Sequence, residues 1–310
     1  MNCVCASSRP RRRRKSKRRC SVQRLLYTVD PTTGPATVWP EHHNRWNMTI
    51  KVKDIAKAIE DFAPKELQES YDNTGLQIGD PEMTVSAVLL CLDVTEDILA
   101  EARRRRCNMI VSHHPLLFSG LKQITGVTPT QRIVAEALCS GIAIYASHTN
   151  LDSAVQGVSY ELAHMLNLTD VRPLQPSAES ADTGLGVIGS ISPTPKLEFL
   201  RKVKETLNVG HLKYAAQAPH LVIRKVAICG GAGASLIREA RAAGADALLT
   251  GDLKYHDFTS NGYDLLLADI GHYESELCTK RIFSRIIRQA YPDCVTYFAE
   301  SESNPVAYID

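Results

Sequence analysis

The chain has 310 residues, of which 44% are hydrophobic and 23% are charged. This composition is too apolar for a disordered chain, and the length is too great for a disulfide-stapled miniprotein, so one large domain or two ordinary ones are expected. No run of 18 consecutive apolar residues occurs, and the sequence therefore predicts no membrane-spanning helix.

The formal net charge of +2 hides an uneven distribution of charge. Residues 1–47 contain 11 Lys and Arg but only two acidic residues, a net charge of +9. The remaining residues contain 25 basic and 32 acidic side chains, a net charge of −7. Because neutralising phosphate groups needs clustered positive charge, this acidic body argues against direct nucleic-acid binding.

Residues 1–47 are predicted to form a basic, disordered extension. They are rich in polar residues, are interrupted by prolines and lack the regularly spaced apolar residues of a buried helix or strand. Three interpretations stay open: a nuclear-localisation patch, an organelle transit peptide, or a reading frame extended upstream of a true start at Met48. We favour the third, since an ordered pattern opens abruptly at Met48. The expected location is cytoplasmic, with the mitochondrion or nucleus as alternatives if the extension is real.

The six cysteines of the body form no C-x-x-C pair and lie mostly in apolar runs. Free cysteine often behaves as a small buried hydrophobic residue, and a reducing, intracellular compartment fits this usage.

The body is predicted to alternate between strands and helices. In chain order, the predicted elements are a helix over 54–62, a strand over 85–92, a helix over 95–105 capped by Thr95, a strand over 109–111, a helix over 130–140, a strand over 142–145 and a helix over 193–207 capped by Thr194. Short, continuously apolar strands between amphipathic helices are typical of an α/β fold with a largely buried sheet.

An internal repeat supports two related α/β lobes packed together. Residues 88–112 align without gaps on residues 226–250, and Glu101-Ala102-Arg103 then matches Glu239-Ala240-Arg241. We therefore predict a first lobe over 48–170, a connector over 171–222 and a second lobe over 223–310. The connector is expected because residues 171–181 contain two prolines among small and polar residues.

Potential metal ligands follow four of the predicted strands, where α/β sheets place their binding sites. Five of the eight histidines of the body fall in these four segments: 112–115, 146–152, 250–257 and 269–276. Imidazole and carboxylate together suit Zn, Fe, Mn or Co. Any one of these histidines could be an ordinary hydrogen-bonded residue, but their concentration at four strand ends favours a metal site.

The spacing of these residues favours two ions rather than one. His272 and Glu276 lie on one face if a helix begins near Gly271, so both could bind the same ion. The adjacent side chains of His113 and His114 diverge, so each could reach a different ion of a pair. Two ions roughly 3.5–4 Å apart can activate a water molecule and polarise a substrate oxygen.

The chain resembles the GTP cyclohydrolase I type 2 homologue family, the Nif-three-like proteins. The motifs that carry the resemblance are Tyr71-Asp72-Asn73-Thr74-Gly75-Leu76-Gln77, Ser112-His113-His114-Pro115, His148-Thr149-Asn150-Leu151-Asp152, Gly251-Asp252 with His256, Gly271-His272 with Glu276, and Asn304-Pro305. The resemblance spans the body from Met48. It implies a two-lobed α/β fold with a dinuclear metal site in the cleft, and a toroidal homohexamer. Many relatives carry an extra domain between the lobes, for which the 171–222 connector leaves no room.

The resemblance also implies which residues hold the metal. The implied ligands are His113, His114, Asp152, His272 and Glu276, with Asp152 as the bridge. His148 and His256 lie outside this set and are candidate catalytic residues that carry protons, although a structural hydrogen bond would explain each of them equally well.

Two functions from different classes follow. The first is a hydrolase that depends on two divalent ions and acts on a small molecule such as a nucleotide. The alternative is a non-enzymatic assembly for metal binding, metal delivery or regulatory protein interaction.

Overall fold

The computed structural model describes residues 49–178, 180–216, 221–260 and 264–309. The predictions for residues 1–47 and for a start at Met48 lie outside these residues. Within them, no helix has both the length and the apolar character needed to cross a bilayer.

Helices and strands alternate along the described residues. The α-helices are α1 (Val52–Phe62), α2 (Glu96–Arg105), α3 (Pro129–Ser140), α4 (Thr149–Ser153), α5 (Val158–Met165), α6 (Lys196–Thr206), α7 (Ile237–Ala242), α8 (Tyr255–Thr259), α9 (His272–Glu276) and α10 (Thr279–Ala290). The strands are β1 (Gly75–Ile78), β2 (Val88–Cys91), β3 (Met109–Ser112), β4 (Ala143–Ala146), β5 (Thr169–Pro176), β6 (Gly184–Pro195), β7 (Lys213–Tyr214), β8 (Val222–Ala232), β9 (Ala247–Gly251), β10 (Leu266–Asp269) and β11 (Thr296–Phe298).

The strands form two sheets, and this mixed α/β architecture confirms the predicted fold class. The first sheet has the order β1-β4-β3-β2-β11, in which β4, β3, β2 and β11 are parallel and β1 is antiparallel. The second has the order β5-β6-β8-β9-β10-β7, with a parallel centre of β8, β9 and β10 between antiparallel outer strands.

Side chains alternate between two cores along the central strands of the first sheet. Val88 and Leu90 face a large core that the second sheet shares, whereas Leu89 and Cys91 face a smaller core beneath α2 and α3. Both faces of the sheet are therefore buried, which explains why these strands are continuously apolar in sequence.

The internal repeat is visible in the strand pairing. Val88 of β2 lies opposite Met109 of β3. The equivalent residues of the second copy, Val226 of β8 and Ala247 of β9, lie opposite each other in the same parallel register. The two sheets therefore contain the same strand–helix–strand unit.

Residues 171–222, predicted to be a connector, contribute most of β5, all of β6, and β7 to the second sheet, and they also contain helix α6. Pro173 and Pro176 had suggested a linker, but β5 is an edge strand. Proline is tolerated at a sheet edge because its missing N–H is not needed by a further neighbour. In addition, β11 from the segment assigned to the second lobe pairs with β2 of the first sheet.

The predicted cap at Thr194 is wrong, whereas the predicted cap at Thr95 is confirmed. Thr95 Oγ1 accepts a hydrogen bond from the backbone N–H of Ile98 at 3.3 Å. Thr194 instead lies in β6 and pairs with Ile223, and α6 begins only after Pro195. Pairing with β8 keeps the backbone extended through residue 195.

Candidate metal centre

The four ligand-bearing segments follow the strands after which they were predicted. His113 and His114 follow β3, and His148 follows β4 in the same parallel register. In the second sheet, Asp252 follows β9, and His272 begins α9 just after β10. The carboxyl ends of parallel strands from both sheets therefore supply one cluster of side chains.

Glu276 lies at the centre of this cluster. Its Oε2 is 3.0 Å from Nε2 of His114 and 3.1 Å from Nε2 of His272. Its Oε1 is 3.6 Å from Nε2 of His113, and Oδ1 of Asp152 is also 3.6 Å from that nitrogen. The structure thus brings together all five residues that the family resemblance implies as ligands.

His148 joins the same cluster. The potential ligand atoms of His113, His114 and His148 lie within 4.8 Å of one another, as do those of His114, His272 and Glu276. The ring of His148 is centred 5.2 Å from that of His113. Its position is that of a further candidate ligand or of a residue that contacts a bound molecule directly.

The other candidate catalytic residue, His256, is not brought to the cluster. It lies exposed on α8, where its ring contacts the neighbouring ring of Tyr255. Among the residues that the structure describes, His256 belongs to neither group of potential metal ligands, and its catalytic role stays a prediction.

Each histidine of the cluster is held through its Nδ1 atom. The acceptors are the carbonyl oxygen of Ser147 for His113, Asp93 for His114, Asp72 for His148 and Asp252 for His272, at 2.8–2.9 Å. A carbonyl or carboxylate oxygen can only accept, so Nδ1 carries the proton in all four rings. In the neutral ring, Nε2 is then an unprotonated nitrogen that faces the cluster, which is the usual arrangement of metal-binding histidines.

Asp93 and Ser147 also belong to the site, and neither was among the residues predicted from the sequence. Asp93 follows the end of β2, a strand parallel to β3, so its place at the same sheet edge was a usable signal. Ser147 contributes a backbone carbonyl, so the type of its side chain could not have indicated its place in the site.

Several atoms of the cluster are buried and lack a hydrogen-bond partner. They are Nε2 of His113, Oδ1 of Asp152 and Oε2 of Glu276. Buried polar atoms are almost always satisfied, since an unpaired one costs about 1–3 kcal/mol. Three unsatisfied nitrogen and oxygen atoms that converge on one point are the donor set expected around a metal ion.

The charges of the cluster are strongly coupled. Burial disfavours the ionised Glu276 carboxylate, but attraction to His113 and close contacts with the other histidines hold its pKa well below the usual value. Burial, together with the charge of Glu276, raises the pKa of Asp152 despite the nearby histidines. The charged form is therefore favoured at Glu276 and the protonated form at Asp152.

The histidine pKa values respond to the same carboxylates. Burial disfavours protonation of His114, but its hydrogen bond to Asp93 and its close contact with the Glu276 carboxylate outweigh that penalty and raise its pKa to about 10. The close contact with Glu276 raises the pKa of His272 to about 9, with a further contribution from Asp252. Positive charge is thus favoured where the residues would hold a cation.

A cavity of about 380 Å³ adjoins the cluster on the side of His114 and His272. Its wall includes the C-terminal residues Asn304, Pro305, Val306 and Tyr308. The size is within the range of small-molecule sites.

Comparison with known proteins identifies the family of this chain. The family described as Duf34/NIF3 (NGG1p interacting factor 3) matches residues 50–305. The chain belongs to this family. The resemblance inferred from its motifs is thereby confirmed.

Individual members of the family match most of the chain. A GTP cyclohydrolase 1 type 2 homolog of Clostridium acetobutylicum is 33% identical, over 78% of this chain and 91% of that protein. NIF3-like protein 1 of Drosophila melanogaster is 32% identical, over 84% and 89% respectively. Among solved structures, a hypothetical protein of Staphylococcus aureus has a TM-score of 0.77 at 25% identity, covering 84% of this chain and 99% of its own.

Proposed function

We propose that this chain binds two divalent metal ions and acts as a metal-dependent hydrolase on a nucleotide or a related small molecule. One observation carries the proposal. Four histidines are fixed through Nδ1, three of them place Nε2 within 3.6 Å of Asp152 or Glu276, and one buried oxygen of each of these carboxylates lacks a hydrogen-bond partner. The relatives named GTP cyclohydrolase 1 type 2 homolog support the choice of a nucleotide.

Zn, Fe, Mn and Co all fit this set of imidazole and carboxylate donors. When bound, a pair of such ions would supply Lewis-acid activation of water and of a substrate oxygen. His113, His114, Asp152, His272 and Glu276 would hold the ions.

The contacts favour Glu276 over Asp152 as the bridging carboxylate. One oxygen of Glu276 faces His113, and the other faces His114 and His272. Asp152 contacts only the His113 side through Oδ1.

His148 is suited to move a proton beside the ions. Its Nδ1 donates to Asp72, whose other oxygen accepts from the backbone N–H of Thr149 at 3.0 Å. These bonds fix the ring while Nε2 stays available to a substrate or water. The exposed ring of Phe118, centred 6.2 Å from that of His148, adds an apolar wall.

The second candidate function is a non-enzymatic role in metal binding or metal delivery, or in regulatory protein interaction. The family description supports it, since it names an interacting factor. Exposed apolar side chains, Phe118 beside His148 and Ile124 and Val127 further along the chain, offer surface for such a contact.

We also propose a homohexamer and a cytoplasmic location. The family resemblance supports the first. The second is supported by the free cysteines of the described residues, five of which are buried thiols, as expected in a reducing compartment.

The test is hydrolysis by protein loaded with Zn²⁺, Mn²⁺, Fe²⁺ or Co²⁺, screened on nucleotides, beginning with GTP, and on phosphoesters. We expect turnover that a chelator removes and that Asp152→Ala abolishes. Asp61→Asn, an exposed carboxylate paired with Lys57, is the control and should leave turnover unchanged. Unchanged turnover in Asp152→Ala would exclude the cluster from the reaction, and metal binding without any turnover would favour the second candidate.

A further inference from the structure

The helix that carries two of the candidate ligands is too short to hold itself in place. Helix α9 has only five residues, and His272 and Glu276 are its first and last. Few hydrogen bonds can form within one turn, so such a helix depends on contacts with the rest of the protein. What fixes α9 therefore also fixes both ligands.

Ser275 makes the connection between α9 and the second sheet. Its side chain is fully buried, and its Oγ donates to the carbonyl oxygen of His272 at 2.8 Å. The same Oγ accepts from the backbone N–H of Gly231 at 3.0 Å. One hydroxyl thus joins the two-ligand helix to the glycine-rich end of β8.

Gly231 in turn makes room for the Glu276 carboxylate. Its φ of +60° is a left-handed conformation, and a Cβ atom at this position would lie 2.1 Å from Oε1 of Glu276. The carboxylate therefore packs directly against the glycine backbone. The glycine-rich turn over residues 230–233 thus packs closely against a candidate ligand.

Thr250 fixes the glycine turn itself. This buried residue of β9 donates from Oγ1 to the carbonyl oxygen of Gly231 at 2.8 Å and accepts from the N–H of Gly233 at 2.7 Å. A continuous chain of hydrogen bonds runs from the sheet through the glycine turn and Ser275 to the backbone of α9.

We propose that Ser275 is a positioning residue of the metal centre, which holds His272 and Glu276 in the geometry that binds the ions. The inference rests on the proposed metal binding. Ser275 contacts no ion itself. Removing a group that orients a ligand typically lowers metal affinity by about 10- to 100-fold.

The test compares Ser275→Ala with Ser159→Ala. Ser159 is also buried, and its Oγ accepts a longer hydrogen bond, 3.4 Å, from the neighbouring Gly230 N–H. It therefore controls for the loss of a buried hydroxyl at the same turn. Affinity for Zn²⁺ would be measured by competition with a chromophoric chelator, and ligand geometry by the absorption spectrum of the Co²⁺-loaded protein.

We expect Ser275→Ala to lower the affinity about 10- to 100-fold and to change the Co²⁺ spectrum, while Ser159→Ala changes neither. Equal losses in both variants, or wild-type affinity and spectrum in Ser275→Ala, would overturn the proposal. If Ser275→Ala does not fold, the near-isosteric Ser275→Cys takes its place, with the same expectations. A wild-type protein that binds no metal would instead overturn the proposed function.

Discussion

The two copies of the repeated unit, β2–α2–β3 and β8–α7–β9, pair their strands in the same register but carry different residues at their ends. His114 follows β3 as a candidate ligand, and the equivalent residue after β9 is Asp252, which orients the ligand His272. Asp93 after β2 orients His114, and its equivalent in the second copy is Gly231, which packs against Glu276. The first copy thus supplies ligands together with a support for one of them, whereas the second copy supplies supports for ligands that lie on α9.

The two sets of candidate ligands are also held in place differently. In the first copy, His113 is fully buried and attached directly to the end of a strand. The other ligands lie outside the second copy, on the five-residue helix α9 that follows β10, and the side chain of His272 is about a third exposed. The second set of ligands is therefore the one that depends on added supports.

The largest expected effect is on metal content, which Glu276→Ala should lower more than Asp152→Ala. Glu276→Ala removes the carboxylate that faces both sets of histidines, so we expect loss of both ions. Asp152→Ala removes a contact on the His113 side only, and about one ion should be retained. Metal analysis of the purified variants checks this, and equal loss in both would contradict the bridging role of Glu276.

The orienting carboxylates of the two copies should each contribute to metal affinity. Asp93→Asn and Asp252→Asn keep the size of the side chain but remove its charge, and each should lower Zn²⁺ affinity about 10- to 100-fold. Competition with a chelator measures both. Unchanged affinity in either variant would mean that its histidine is held by other contacts.

Glu101 and Glu239 occupy the same position in the two copies of the repeated unit, and they allow the copies to be compared at a site away from the candidate metal ligands. Buried Glu101 accepts hydrogen bonds from the N–H groups of Glu300 and Ser301 and from the hydroxyl of Ser301, and it also contacts Arg105. Its equivalent, Glu239, pairs with the exposed Arg238. At pH 7 we expect Glu101→Gln to lower the free energy of unfolding by about 1–3 kcal/mol, and Glu239→Gln by no more than about 0.5 kcal/mol.

The stability that the Glu101 carboxylate contributes should depend on pH. Burial disfavours the charged form of Glu101, but the hydrogen bonds from Ser301 and Glu300 outweigh it and lower the pKa to about 2. A carboxyl group with a lowered pKa in the folded state stabilises the fold above its unfolded pKa and loses that contribution as pH falls. Denaturant unfolding should therefore show the gap between wild type and Glu101→Gln closing from pH 5 towards pH 2, and a constant gap would contradict this account.

The smallest expected effect is that of His256→Ala. Because His256 lies outside the cluster, metal content and Zn²⁺ affinity should equal those of the wild type. Loss of metal in this variant would contradict the position of His256 outside the cluster.

Much of the fold was predictable because the central strands are buried on both faces and therefore continuously apolar. The strand ends then predicted where His113, His148 and His272 would meet, although they lie far apart in sequence. Edge strand β5 was not predictable, since its prolines are equally compatible with a linker. Neither was the support that Ser147 gives through its backbone, because a carbonyl group is common to every residue.

The close packing of Gly231 against Glu276 could not be predicted from the sequence either. That Gly231 must lack a side chain depends on the position of Glu276, 45 residues further along the chain. Such a requirement arises only once both sheets are in place.

The most direct test of the account is the metal content of the wild-type chain, purified without chelator and measured by elemental analysis. The account predicts about two divalent ions per chain, which dialysis against a chelator removes without unfolding the protein. A folded protein that retains no metal, and takes up none when Zn²⁺, Mn²⁺, Fe²⁺ or Co²⁺ is added, would contradict it.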